Sequence, residues 1–98
     1  MTQYLVDIHL PGSITDEIAS LIPFQRTRVN ALMSEGTISD YSLSMDRSKL
    51  WVVVNAATED DVRSVIASFP IFPFIQFTVH ELMFHNSVRL LHPQFSLN

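Results

Sequence analysis

Two prolines, Pro70 and Pro73, punctuate the run Ser68-Phe69-Pro70-Ile71-Phe72-Pro73-Phe74. Each lacks a backbone N–H and fixes φ, so this run is neither a helix interior nor a central strand. Phe69, Ile71, Phe72, Phe74, Ile75 and Phe77 crowd the same region, too many large apolar groups for an exposed loop. The run therefore reads as a buried corner, where a helix ends and a strand begins against the core. Any fold for this chain must put a helix before the corner and a strand after it.

The remaining pattern supplies the other elements. From Gln3 to Leu10 the chain alternates, with Tyr4, Val6, Ile8 and Leu10 on one face and Leu5, Asp7 and His9 on the other. That period of two predicts a strand, closed by Pro11-Gly12. Between Thr15 and Glu35 the period becomes helical: Ile18, Leu21, Ile22, Val29, Leu32 and Met33 form a stripe interrupted near Gln25. Pro23 inside this helix is expected to kink or split it, and Gly36 to stop it.

Thr37 to Met45 alternates again, and the polar stretch Asp46-Arg47-Ser48-Lys49 reads as a hairpin turn. Leu50-Trp51-Val52-Val53-Val54 follows as a strand apolar enough for a central position buried on both faces. Thr58-Glu59-Asp60-Asp61 opens a second helix with acids at the positive end of its dipole. Val62, Val65, Ile66 and Phe69 make its stripe, and Phe74 to Leu82 is the last strand.

The order strand–helix–strand–strand–helix–strand is the ferredoxin-like βαββαβ arrangement of the α+β class. Its antiparallel sheet carries both helices on one face and leaves the other open. The 98 residues make one domain, 1–98, with 47% apolar and only 16% charged residues. So high an apolar share in so short a chain points to a surface turned toward another subunit. The tail, 86–98, carries Val88, Leu90, Leu91 and Phe95 without a clear place in a lone protomer, and is expected to pack on a partner.

Composition removes several function classes. There is no cysteine, hence no disulfide, thiolate metal site or cysteine nucleophile. A net charge of −4 with six scattered basic residues argues against nucleic acid. No apolar run is long enough to span a membrane, and no signal peptide is expected. A cytoplasmic location is the default. The four histidines lack paired spacing on one element, so no metal is expected. Gly12 and Gly36 alone cannot build a phosphate loop.

Polar groups converge on the sheet face opposite the helices. In this topology the first strand lies antiparallel beside the last, which brings Asp7 and His9 near Gln76, Thr78 and His80. Trp51 shares that parity. The sharp reading is a pocket with Asp7, His9 and His80 as acid–base groups and Trp51, Gln76 and Thr78 as ligand contacts. The bland one is a half-solvated sheet face or wet dimer interface. Asp7 and His9, roughly 7 Å apart at Cα along a strand, could share a ligand without forming a dyad. Trp51 on its own is most simply a core residue.

The pieces Leu10-Pro11, Glu35-Gly36-Thr37 and Phe69-Pro70-Ile71-Phe72-Pro73-Phe74, with Leu82 and His85 beyond them, resemble the muconolactone isomerase family. The resemblance spans almost the whole chain. It implies a ferredoxin-like protomer of the dimeric α+β barrel class, a homodimer or higher homo-oligomer, and no cofactor. It also implies isomerisation of an unsaturated lactone by proton transfer. The position of the family's proton-shuttling glutamate falls on Gln25, with Arg26 beside it, and both are expected ligand contacts. Glutamine cannot accept and return a proton as a carboxylate does. A family lysine stands here as Leu5 and a family asparagine as Leu50. His85 falls on a family histidine and joins the expected ligand contacts.

Two readings stay open at this point. One is a small-molecule-binding protein, a cofactor-free isomerase acting on a lactone or aromatic-derived metabolite. The other is a non-enzymatic oligomeric binding or accessory protein with a vestigial pocket.

Overall fold

The computed structural model describes residues 2–86. The expectations for the tail residues Val88, Leu90, Leu91 and Phe95 lie outside the described residues. Strand β1 (Thr2–His9) leads to helix α1 (Asp16–Ser34), the hairpin of β2 (Ile38–Leu43) and β3 (Lys49–Ala56), helix α2 (Glu59–Ala67) and strand β4 (Gln76–Glu81). The four strands form one sheet in the order β2-β3-β1-β4, every pair antiparallel. This is the ferredoxin-like α+β arrangement the alternation predicts.

Tyr4, Val6 and Ile8 point to the helix side, opposite Val54, Val52 and Leu50 of β3. All six are buried, and they meet Val29 and Leu32 of α1 and Val62 and Ile66 of α2 in one core. Complete burial of a Val, Leu or Ile contributes about 1.5–3 kcal/mol, so this stack fixes which face of each strand turns inward. A one-residue slip of β1 would expose Val6 and Ile8 and bury Asp7.

Helix α1 starts on Thr15, whose hydroxyl accepts from the Ile18 N–H at 3.2 Å. It runs as one helix through Pro23, so the proline does not split it. The reason is placement: Pro23 and Ala19, the carbonyl that loses its donor, are both exposed, so water can take the missing bond. At its end the Gly36 N–H donates to the Met33 carbonyl at 3.1 Å and the Thr37 N–H to the Leu32 carbonyl at 2.9 Å. These are the paired bonds of a Schellman motif, and Gly36 takes the left-handed φ of 81° that the motif needs. Met33, expected in the apolar stripe, lies instead on the exposed side.

The proline corner closes by successive turns. The Phe72 N–H donates to the Phe69 carbonyl and the Phe74 N–H to that of Ile71, both at 2.9 Å. Phe72–Phe74 is a single 3₁₀ turn, so β4 begins at Gln76 rather than at Phe74. Phe69 and Ile71 are buried, whereas Phe72 is 39% exposed. The corner is thus only half interior.

Strand β3 is central, but Trp51 departs from the expectation of a core residue. Its side chain points away from the helices and is 38% exposed. Val53, on the same face, is buried. Beyond β4 the chain brings His85 to Asp40 of β2, at the other edge of the sheet. Three strand spacings of about 4.8 Å separate those edges. The segment after β4 thus links the two edge strands through His85 and Asp40, the register partner of Val53. No helix among the described residues is long and apolar enough to cross a membrane.

Candidate functional site

A cavity of about 360 Å³ lies on the helix side of the sheet. That is within the range of small-molecule sites, roughly 300–1,000 Å³. Its walls come from the end of β1 and the following turn (Leu10, Pro11), from α1 and the residues before it (Ile14, Ile18, Ile22, Gln25, Arg26), and from the β2–β3 hairpin (Tyr41, Leu43, Arg47, Leu50). Ile71, from the proline corner, closes one end. Within α1 the spacing 18, 22, 25 is one face of a helix, so the sequence period itself aims these three side chains into the space. Only Gln25, Arg26, Tyr41 and Arg47 are polar.

Among the described residues Gln25 is the only buried side chain outside the aliphatic and aromatic core, at 5% exposure. Its amide is held from both ends: Oε1 accepts from the Ile71 N–H at 3.4 Å, and Nε2 donates to the Tyr41 hydroxyl oxygen at 3.4 Å. A backbone N–H can only donate, so the orientation of the amide follows from the Ile71 contact. Ile71 stands between two prolines, and its N–H finds its partner in Gln25. The corner therefore does more than join α2 to β4; it holds a residue of the cavity wall. Burial pushes the Tyr41 phenol above its ordinary pKa, and the hydrogen bond from Gln25 only partly offsets this. Tyr41 stays a neutral hydroxyl.

Arg26 and Arg47 sit at the exposed rim, and neither has a carboxylate partner among the described residues. Arg47 holds φ at 64°, the left-handed region, the only non-glycine among the described residues to do so. Three hydrogen bonds to Asp46 fix this turn: Ser44 Oγ at 2.8 Å, Ser48 N at 3.0 Å and Ser48 Oγ at 2.7 Å. They hold the Asp46 carboxyl at a pKa of about 2.

The other expected site residues lie on the open face. The rows across the sheet run Ser42, Trp51, Asp7, Thr78; then Lys49, His9, Gln76; then Asp40, Val53, Leu5, His80. Asp7 is engaged by Lys49, whose Nζ lies 3.1 Å from each carboxylate oxygen. Thr78 Oγ1 and His80 Nε2 are 3.3 Å apart, and His85 Nε2 lies 2.9 Å from Asp40 Oδ2. No hydrogen bond joins Asp7, His9 and His80 among the described residues. The structure thus brings Gln25 and Arg26 together in the cavity, and sets Asp7, His9, Trp51, Gln76, Thr78, His80 and His85 on the opposite face.

Sequence reasoning missed Tyr41 and Arg47 as cavity residues and Lys49 as the partner of Asp7. The parity of Tyr41 with Leu43 was a usable signal for a shared face. The left-handed turn at Arg47 left none, because no glycine or asparagine marks it. Among the described residues no cluster of three or more His, Asp or Glu is placed to hold a metal ion.

No curated protein sequence matches this chain. The family model for muconolactone delta-isomerase matches residues 3–88, a span that takes in every element of the sheet, both helices and all walls of the cavity. The chain belongs to the muconolactone delta-isomerase family.

Proposed function

We propose that the cavity beneath α1 binds a small, largely apolar molecule with an anionic group, of the lactone or aromatic-derived class. No cofactor takes part in this reading. The observation that carries it is the lining: an apolar chamber with one buried amide inside and, at its rim, two arginines that have no carboxylate partner among the described residues. Guanidinium groups pair with carboxylates in a planar, two-bonded geometry, so an acid is the natural guest at the rim.

Gln25 decides how the chemistry reads. The amide is neither an acid nor a base near neutral pH, and both its ends are already occupied. Binding without proton transfer through residue 25 is therefore the leading reading, and the protein acts as a binding or accessory member of the family. Isomerase turnover would need another base. The open face, with Asp7, His9 and His80, supplies one only if a second copy of the chain encloses it. We propose that this face packs on that second copy in a homodimer or larger homo-oligomer.

A thermal-shift screen with small lactones and aromatic acids tests the binding. Stabilisation by acid-bearing members is expected, and a flat response across the panel would overturn it. Gln25→Glu, assayed for lactone isomerisation beside the unaltered protein, tests the assignment of residue 25. The unaltered protein is expected to be inactive; turnover by it would contradict the binding reading.

A further inference from the structure

The cavity contains a hydrogen-bond donor that no group among the described residues uses. The Ile71 N–H fixes the Gln25 amide, so Nε2 faces the Tyr41 oxygen and donates to it. The Tyr41 hydroxyl is then an acceptor in its one hydrogen bond among the described residues, and its own hydrogen has no protein acceptor there. A half-buried hydroxyl in a mostly apolar wall gains from an acceptor brought by a ligand. Burial keeps the group protonated, so it is a donor throughout the neutral range.

From this we infer that Tyr41 recognises a carbonyl oxygen of the bound molecule, with Gln25 as the positioning residue that turns the phenol hydrogen into the cavity. The inference rests on the cavity being a binding site and adds to it the functional group read at its inner wall. Tyr41 polarises that carbonyl by donating a hydrogen bond and transfers no proton. The guest is thus a compact acid with a second, neutral oxygen acceptor: the acid meets the arginines at the rim and the carbonyl meets Tyr41. A site built to donate to an oxygen discriminates against an analogue that lacks it, because the half-buried donor then loses the acceptor the ligand would bring.

The test compares two probes by calorimetry on the full-length protein. One is a saturated five-membered lactone carrying an acetic acid arm; the other is the matching tetrahydrofuran acetic acid, without the ring carbonyl. The unaltered protein is expected to prefer the lactone by about tenfold or more. Tyr41→Phe is expected to bind the two probes equally. With a ¹³C-labelled lactone carbonyl, the infrared stretch should fall on binding to the unaltered protein. That fall should be absent in Tyr41→Phe and reduced in Gln25→Leu, a readout that loss of packing alone would not give. Equal binding of both probes by the unaltered protein, or a preference that survives in Tyr41→Phe, would overturn the Tyr41 assignment and leave the binding site standing. Failure of both probes to bind would overturn the binding site and the assignment together.

Discussion

At the scale of single residues, the cavity depends on side chains whose local chemistry runs against their surroundings. Gln25 is a buried amide in an apolar wall, and Arg47 is a bulky residue in a backbone conformation that suits glycine. A left-handed φ in a residue with a Cβ costs about 1–2 kcal/mol. Such a cost persists when other contacts over-determine the turn, and here Asp46 supplies them. The two consequences of Arg47 can be separated. Arg47→Gly should raise the stability of the protein by up to about 1 kcal/mol. The same change should weaken binding of a carboxylated probe severalfold. Thermal unfolding and calorimetry on one variant read both effects. Lower stability with unchanged binding would show that Arg47 serves the turn alone. The resemblance places Gln25 among the expected ligand contacts, but its partner Tyr41 and the turn at Arg47 were not legible beforehand. The contact of Gln25 with Tyr41 depends on how α1 is rotated above β2, and nothing in a period of 3.6 fixes that rotation to within one side chain.

At the scale of elements, the strands were the most legible part. A strict alternation such as Tyr4-Val6-Ile8 leaves one choice of inward face, and the structure adopts it. The hairpin between β2 and β3 was legible as a turn but not in its mechanism. Asp46 accepts from Ser44 and Ser48, and these bonds lower its carboxyl from the ordinary 3.8 to about 2. Because the folded pKa is the lower one, folding favours the carboxylate. Its stabilising effect is complete above the ordinary carboxylate pKa and is lost as the pH falls through about 2. Asp46→Asn should therefore be less stable than the unaltered protein near neutral pH. The gap should close as the pH falls from about 4 to about 2. Parallel unfolding temperatures across that window would contradict the role of the carboxylate. The helix through Pro23 shows where element rules stop: the chain stays one helix across the proline, and the carbonyl that loses its donor faces water.

At the scale of the whole molecule, the sheet separates two kinds of chemistry. The helix side holds the core and the cavity; the open side holds Asp7, His9, Lys49, Trp51, Gln76, Thr78 and His80, and the chain beyond β4 reaches Asp40 through His85. Fold class was legible because it follows from the order and period of the elements. The location of the cavity was not. It arises from imperfect filling between α1 and the hairpin, a property of packing in three dimensions. Polar residues in the strands drew attention to the open face instead. If that face joins two copies, light scattering at micromolar concentration should report at least a dimer, and Trp51→Glu should shift it toward monomer. A monomeric unaltered protein would remove the interface. The claim that ligand binds beneath α1, on the far side of the sheet from the histidines, is tested most directly by a crystal structure with the acetic acid lactone soaked in. The expected result is the lactone between Gln25, Tyr41 and the two arginines; density beside Trp51 and His80, or none in the cavity, would contradict it.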